Sequence, residues 1–503
     1  MSKRLRVSTV LMASIMFVSA TLTGCSGGDT AVDTNKETGA VGEDIAVDKK
    51  DEKPTNLIWY TVANEPPTDL EKVQAALNEY TLEKINTTID ITTMSYADYN
   101  EKMPVMINSG EAFDICFTSS GDNPYVLNAS RGAFVDLTPY LENEGKEMYD
   151  AIDEKFWEGI TVDGQIFAVP TQKELPWAPS LKFSTEIIEK ASIELPEMID
   201  SLDVLEPLLA KAQEAVPETS VLGVNKNGLK PVFYAGYDMH ASEMVPAGTT
   251  YTGDIYKVIN PMESEFALEF AKQMRAFYEA GYVPADAATN PKKPKTRFVD
   301  FGHYQPYAEQ IWERSDGYPV TVVPVARPIV ATTSTMGSMH AVSITSQNPG
   351  KAVAFLNLLN TDPYVKNLLT YGIEGEHYEK TGDNSIKFLD ASANYRMPSY
   401  TLGNHFIGYT VDPDPVDKWE KFKEFNTTCE VAPLFGFSFD GEPVKNQLAA
   451  VKNVSQQYYS QVFTGSVADV EGVLKVFNEK LYQAGLQAIM DEMQSQIDAF
   501  ISQ

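Results

Sequence analysis

Between Asn56 and Thr118 the chain alternates two kinds of apolar pattern, and this alternation limits the folds open to it more than any other feature. Asn56-Leu57-Ile58-Trp59-Tyr60-Thr61 is a short apolar run that reads as a buried strand. Pro66-Pro67-Thr68-Asp69 offers a turn and a helix start, and Leu70, Val73, Leu77, Tyr80 and Leu82 follow at helical spacing. Thr88-Ile89-Asp90-Ile91-Thr92 alternates as a strand. Residues 96–109 read as a second helix, carrying Met103, Met106 and Ile107, and residues 113–118 as a third strand. Strand, helix, strand, helix, strand is the signature of βαβ units. Parallel neighbours need a crossover, the crossover is usually a helix, and the result is a parallel sheet covered by helices.

Upstream of that run stand a basic head (Lys3, Arg4, Arg6), an apolar stretch from Val7 to about Ala20, and then Leu22-Thr23-Gly24-Cys25. A charged end, an apolar middle and small residues at the cut read as a secretory signal. The apolar stretch is short for a membrane span, which needs ~20 residues. Leu22-Thr23-Gly24-Cys25 resembles the lipobox of bacterial lipoproteins. That resemblance implies a signal peptide over residues 1–24, cleavage just before Cys25 and thioether lipidation of Cys25. It also implies acyl chains, palmitate among them, holding the protein at the extracellular face of the cell membrane. An uncleaved signal anchor with an incidental Cys is the alternative. Residues 26–53 have almost no aromatic or long apolar content, so residues 25–54 are expected to be a flexible tether. Roughly 28 residues of such chain have a mean reach near ~30 Å.

A chain of 503 residues is too long for one core and suggests two or three domains or lobes. Its 43% hydrophobic and 11% aromatic content supports a packed globule. The net charge of −30 argues against nucleic acid as a partner and against a surface that hugs anionic lipid. There are three cysteines, Cys25, Cys116 and Cys429. Cys116 lies in the apolar run 113–117 and reads as a small buried hydrophobe. A Cys116–Cys429 bridge stays open.

Farther along, Asp163-Gly164 is a two-residue hairpin signal within 160–170. A new unit begins past Thr171, with a strand at Lys182-Phe183-Ser184 and helices near 185–191, 202–215 and 264–280, the last closed by Gly281. Pro291-Lys292-Lys293-Pro294-Lys295 reads as a solvated basic turn. Strands are expected at 320–325 and 339–345, helices at 352–359 and 363–371, and a hairpin at 380–388. The C-terminal part reads as helices near 416–425, 444–462 and 467–500.

Catalytic patterns are missing from the sequence. There is no phosphate-binding Gly-rich loop before Lys-Ser or Lys-Thr and no Gly-x-Ser-x-Gly elbow. His240, His303, His340, His377 and His405 are far apart and lack the His-Glu-x-x-His spacing of a zinc protease. Asp412-Pro413-Asp414-Pro415 fits a rigid turn better than a calcium loop. No cofactor or metal is implied. A glycosidase pair of carboxylates is not excluded by counting, yet no spacing picks one out.

The run Ser346-Gln347-Asn348-Pro349-Gly350-Lys351-Ala352-Val353-Ala354-Phe355-Leu356-Asn357-Leu358-Leu359, continuing through Thr361-Asp362-Pro363 to Gly372-Ile373-Glu374-Gly375, resembles extracellular solute-binding lipoproteins of ABC importers. It looks most like the Firmicutes branch of carbohydrate-binding lipoproteins with an extra C-terminal domain. Ser109-Gly110-Glu111-Ala112-Phe113-Asp114-Ile115 is similar to that family's entry to the third strand. Asp163-Gly164-Gln165-Ile166-Phe167-Ala168-Val169-Pro170 is similar to its crossover marker. The resemblance spans nearly the whole chain. It implies an α/β, two-lobed periplasmic-binding-protein-like fold, each lobe a mostly parallel sheet flanked by helices, with a helical C-terminal extension. Lobe one would be residues 55–171 and 329–378, and lobe two residues 172–328 and 379–503. The implied function is capture of a carbohydrate, an oligosaccharide in the nearest branch, in an interlobe cleft and delivery to ABC permease subunits, without catalysis. A lipid-anchored glycoside hydrolase and a ligand sensor are the alternatives.

Ligands of open α/β sheets bind beyond the carboxyl ends of strands. That rule points to Tyr60, Thr61 and Glu65 after the first strand, to Ser119, Ser120, Asp122 and Asn123 after the third, and to Glu174 and Trp177 after the first crossover. Sugars need flat aromatic platforms and a rim of carboxylates or amides. Trp177, Trp312 and Tyr60 are the expected platforms, followed by Tyr125 and Tyr234. Ser338 and His340 are placed on a crossing strand where they could line the cleft.

Overall fold

The structure, a computed structural model, describes residues Lys53–Ser502. The basic head, the apolar stretch, Leu22-Thr23-Gly24-Cys25 and all but the end of the expected tether lie outside the described residues. Among the described residues no helix is long and apolar enough to cross a membrane.

The early alternation folds as its pattern requires, with β1 (Thr55–Val62), α1 (Leu70–Ile85), β2 (Thr87–Met94), α2 (Tyr96–Ser109) and β3 (Ile115–Thr118) in succession. β1 lies between β2 and β3 and is parallel to both, with Trp59 in register with Ile91 and with Ile115. α2 begins where Ser95 Oγ accepts the Asp98 N–H at 3.2 Å and ends at Gly110, whose φ of +70° turns the chain out of the helix. Two later strands complete this sheet: Met339–Val342 runs antiparallel to β3, and Ala168–Pro170 antiparallel to Met339–Val342. Asp163 and Gly164 (φ 50° and 77°) form the expected tight turn between Thr161–Val162 and Gln165–Ile166.

A second core surrounds a four-stranded sheet in the order Val320–Pro324, Pro179–Ser184, Arg297–His303, Ser220–Leu222. Parallel pairing is confined here to Ser220–Leu222 against Arg297–His303, because Pro179–Ser184 runs antiparallel to both of its neighbours. Arg297–His303 has no legible strand pattern, since Arg297 and Asp300 are buried charges. Burial is tolerated because the charges pair. Asp300 accepts from Lys293 (2.8 Å) and forms an ion pair with Arg297 (3.0 Å), while Lys182 and Arg297 (2.9 Å) both pair with Asp316. The basic loop at 291–295 therefore anchors one lysine in a structural network.

Three helices at the C-terminus, Lys445–Thr464, Val470–Gln483 and Leu486–Phe500, pack into this second core. The single stretch expected over 467–500 breaks at Gly485, whose φ of +101° only glycine adopts readily. Gly465 ends the first of these helices with φ +71°, and a Cβ there would stand 1.9 Å from the Met274 carbonyl oxygen.

The chain leaves the first core later than expected. Tyr395, Met397 and Leu402 are buried in it, and residues 378–411 add a small sheet beside Tyr371. Residues 379–411, assigned above to lobe two, thus pack with lobe one. Residues 412–428 also touch the second lobe through Asp414 with Arg314 and Asp417 with Tyr307 (2.7 Å), and the second core resumes at Leu434. Residues 379–411 consist of 3₁₀ turns and two- to four-residue strands, which leave no periodicity to read, whereas the helix expected near 416–425 stands at Lys418–Thr428. Cys116, buried in β3, and Cys429, half-buried, are both free thiols, so the bridge left open above is not formed.

Lys366 is buried in the first core and donates to the Leu402 carbonyl. Burial pushes its ammonium down from 10.5 to about 7. The unfolded chain takes up this proton near 10.5 and the folded chain only near 7, so stability rises with pH across that window and the full penalty applies below it. Lys366→Met is expected to raise Tm most at pH 7 and below and least near pH 10.5, read by calorimetry; an equal gain at every pH would contradict the burial argument. Gly465→Ala is expected to destabilise the protein by about 3 kcal/mol through clash and left-handed strain, read by denaturant unfolding.

Candidate functional site

The backbone crosses between the two cores three times, and the crossings lie side by side. Trp177 and Ile329 exchange backbone hydrogen bonds of 2.7 and 3.0 Å. Ile329–Val330 in turn runs parallel to Glu430–Val431. A cavity of about 410 Å³ opens against this hinge. Ser120, Gly121, Lys173 and Glu174, with residues 331–337, wall it from the first lobe; Tyr234, Tyr237, Asp238, Glu243, Tyr251 and His303 wall it from the second.

Trp177 forms its aromatic surface. The indole lies 4.9 Å from the His303 ring and 5.9 Å from Phe301, centroid to centroid. His303 is fixed by a 3.0 Å hydrogen bond from Nε2 to the Pro176 carbonyl, and burial pushes its pKa down, so the ring stays neutral. Two of the cavity's three carboxylates are paired, Glu174 with Lys173 (2.8 Å) and Glu243 with Lys230 (2.6 Å). The third, Asp238, is buried, and that burial raises its pKa against the opposing pull of His240. Tyr234 is braced from behind, its hydroxyl 2.6 Å from that of Tyr459 on the helix Lys445–Thr464. The result is a water-accessible chamber with one flat aromatic face and several fixed oxygen acceptors.

Of the residues named from the sequence, Ser120, Glu174, Trp177 and Tyr234 reach this wall. Ser119 instead builds the loop, its Oγ accepting from the N–H of Gly121 (3.1 Å) and Asp122 (2.7 Å). Asp122 ties the same loop to α2 through Asn100 at 2.6 Å. Glu65 is exposed on the loop after β1, outside the wall. Tyr60 packs edge-on against Phe113 at 5.7 Å and points its hydroxyl toward Glu111. Tyr125 is a core residue, its hydroxyl donating to the Ile160 carbonyl (2.7 Å) and accepting from the Phe167 N–H (3.1 Å). His340 sits in the first core against Trp59 (5.2 Å), where burial, then the charge of Lys366, pushes its pKa down to about 3. Trp312 lies on the helix Ala308–Asp316, over Gly302 and 5.5 Å from Lys182 Nζ. It covers the buried charge network rather than the cavity.

Asp238, Glu243, Tyr251 and His303 were not assigned to a ligand from the sequence. The first three lie in short or irregular segments, where the only signal was the density of tyrosines and acids between 234 and 251, and His303 ends the strand Arg297–His303, which had no legible pattern. One group of possible metal ligands, Asp69, Glu376 and His377, exists among the described residues. Lys72 already bridges its two carboxylates. His377 Nδ1 accepts the Ile373 N–H (2.9 Å), so Nε2 carries the proton that faces Asp69 (3.2 Å), leaving no lone pair for an ion.

Comparison with known proteins gives consistent matches. Residues 64–366 match the family of bacterial extracellular solute-binding proteins, and residues 433–502 match a domain of unknown function (DUF3502). A carbohydrate ABC transporter substrate-binding protein of Streptococcus pneumoniae serotype 4 is 31% identical over 447 residues, covering 86% of this chain and 89% of the relative. The crystal structure of the N-glycan transport solute-binding protein from Streptococcus pneumoniae has a TM-score of 0.80 at 30% identity, over 89% of this chain and 99% of that one. The same protein in complex with Man5GlcNAc has a TM-score of 0.72 at 30% identity, with the same coverage.

Trp312→Ala is expected to lower stability by about 1–3 kcal/mol, by uncovering Lys182 and opening space above Gly302, while leaving the occupancy of the hinge cavity unchanged. Calorimetry reads the first effect and ligand titration the second.

Proposed function

Since the chain belongs to the family of bacterial extracellular solute-binding proteins, we propose that it captures a carbohydrate, and specifically an oligosaccharide, in the hinge cavity and delivers it to an ABC permease in the membrane. The observation that carries this reading is the make-up of the cavity wall: the Trp177 face set among Ser120, Glu174, Asp238, Glu243 and Tyr251. A sugar ring has an apolar C–H face and a rim of hydroxyls. An indole plane accommodates the face, and carboxylates and hydroxyls take the rim. The volume of about 410 Å³ is within the range of small-molecule pockets. Further support comes from the pneumococcal relative, whose complexes carry Man1GlcNAc and Man5GlcNAc. Bending at the three crossings would close the lobes on the ligand and present a new shape to the permease.

The reading is one of binding without turnover. A glycosidase needs two free carboxylates ~5–9.5 Å apart across the scissile bond. Glu174 and Glu243 are each engaged by a lysine, an arrangement suited to holding a ligand. The same reading assigns Cys25 to lipidation and the protein to the extracellular face of the membrane, with residues 25–54 as the leash.

Thermal-shift measurements with Man1GlcNAc, Man5GlcNAc and a wider glycan panel are expected to show stabilisation of about 2.7 kcal/mol at a ligand concentration 100 times Kd. Trp177→Ala is expected to weaken binding about 30-fold, as befits an aromatic anchor worth about 2 kcal/mol. No shift with any glycan, or cleavage products in mass spectra after incubation, would sink the reading. Cys25→Ala is expected to move the protein from the membrane fraction to the soluble fraction with unchanged Kd; retention in membranes would refute the lipid anchor.

A further inference from the structure

Among the described residues, Asp238 is the one carboxylate of the cavity wall without a cationic partner. The residue is 3% exposed. Among the described residues no N–H or O–H donates a hydrogen bond to it. Its nearest basic atom is His240 Nδ1 at 3.7 Å, beyond hydrogen-bond reach. His240 cannot neutralise it: that ring is buried, edge-on to Phe437 at 5.1 Å, with Nε2 against Thr249 Oγ1 at 3.0 Å, and burial pushes its pKa down. The hydroxyl of Tyr251, on the same wall, also has no hydrogen-bond partner among the described residues, its backbone N–H alone donating to the Gly236 carbonyl (3.3 Å). Burial, then the charge of Asp238, pushes its phenol pKa up, so it stays an O–H donor. Buried polar groups are nearly always satisfied. Here an acceptor and a donor, neither with a side-chain hydrogen-bond partner among the described residues, face one chamber.

We propose that Asp238 and Tyr251 select the ligand: Asp238 accepts from two hydroxyls of an uncharged sugar ring, Tyr251 donates to a further ring oxygen, and saccharides carrying a carboxylate, sulfate or phosphate are rejected. This inference rests on the carbohydrate reading above. The rejection follows from charge. Lys173 and Lys230 are committed to Glu174 and Glu243, so an anionic ligand would meet three carboxylates and no free cation. A site that presents an unsatisfied acceptor discriminates strongly in favour of ligands that bring donors, because any other occupant leaves it bare.

The test is calorimetric titration of the full chain with Man1GlcNAc, with the same disaccharide oxidised to the uronic acid on its mannose ring, and with its glucosamine-bearing, deacetylated form. Wild type is expected to bind the neutral disaccharide at least about 30-fold more tightly than the uronate. Asp238→Asn is expected to weaken neutral binding about 30-fold and to bring the uronate within about threefold of the neutral sugar, with Tm unchanged or raised because an unpaired buried charge is gone. Tyr251→Phe, which keeps the ring, is expected to weaken neutral binding about tenfold.

The pH profile provides an independent readout. The titratable groups facing the cavity are Lys173, Glu174, Tyr234, Tyr237, Asp238, Glu243, Tyr251 and His303, with His240 and Lys230 adjoining it. Affinity of wild type is expected to fall on acidification at a higher pH than an ordinary aspartate would give, and Asp238→Asn to remove that step. Binding by Asp238→Asn within threefold of wild type, or equal binding of uronate and neutral sugar by wild type, overturns the proposal while leaving carbohydrate capture standing. Preference for the deacetylated form, lost in Asp238→Asn, would reassign Asp238 to an ammonium and also overturn it. Failure of wild type to bind any glycan of the panel overturns both readings.

Discussion

The backbone hydrogen bonds that join Trp177, Ile329 and Glu430–Val431 are what the rest of the molecule depends on. They hold three separate crossings as one narrow ribbon between two cores, each with its own sheet and its own buried side chains. Buried main-chain groups must be paired, and the crossings pair them with one another. Small changes in φ and ψ at a few residues can then alter the spacing of the lobes without disturbing either core. Because Trp177 belongs to this ribbon, the aromatic floor of the cavity is set by the hinge itself.

The C-terminal helices serve the cavity indirectly. Tyr459 holds the Tyr234 hydroxyl, and Phe463 packs on Phe233 at 5.4 Å and on Tyr234 at 6.2 Å. These contacts brace the segment that carries Tyr237 and Asp238. Residues 433–502 are therefore part of the second lobe's core, and the cleft wall inherits its rigidity from them. The same helices enlarge the core of lobe two, whereas the small sheet of residues 378–411 enlarges lobe one beside Tyr371.

Elements with strong periodicity were legible. The first five elements, the Asp163-Gly164 turn and the helices Thr185–Ala191 and Leu202–Ala215 stand where the apolar spacing puts them. Arg297–His303 was not legible, because its buried charges mimic a surface loop until Lys182, Lys293 and Asp316 are seen beside them. The candidate site was legible only in part. The rule that ligands lie beyond strand ends found the loop after β3, yet only Ser120 and Gly121 of that loop face the cavity, since Ser119 and Asp122 are used to shape it. Trp177 and Trp312 ranked as leading platforms, ahead of Tyr125, with His340 placed as a residue that could line the cleft. One lines the cavity, one covers a charge network and two fill the first core.

The sequence by itself determined local conformation and its alternation, because hydrophobic period, caps and turn residues act over a few positions and need no partner. It therefore determined an α/β architecture, an acidic body and, through its motifs, the family. Tertiary structure alone decided which aromatic rings meet the cavity, where the chain makes its last crossing, and which carboxylate is left without a counter-charge. Each of these depends on pairs of residues far apart in the chain, such as Trp177 with Ile329, Tyr234 with Tyr459, and Glu243 with Lys230 against an unpaired Asp238. The physical reason is that burial and electrostatic compensation are properties of a neighbourhood in space, which spacing along the chain does not encode.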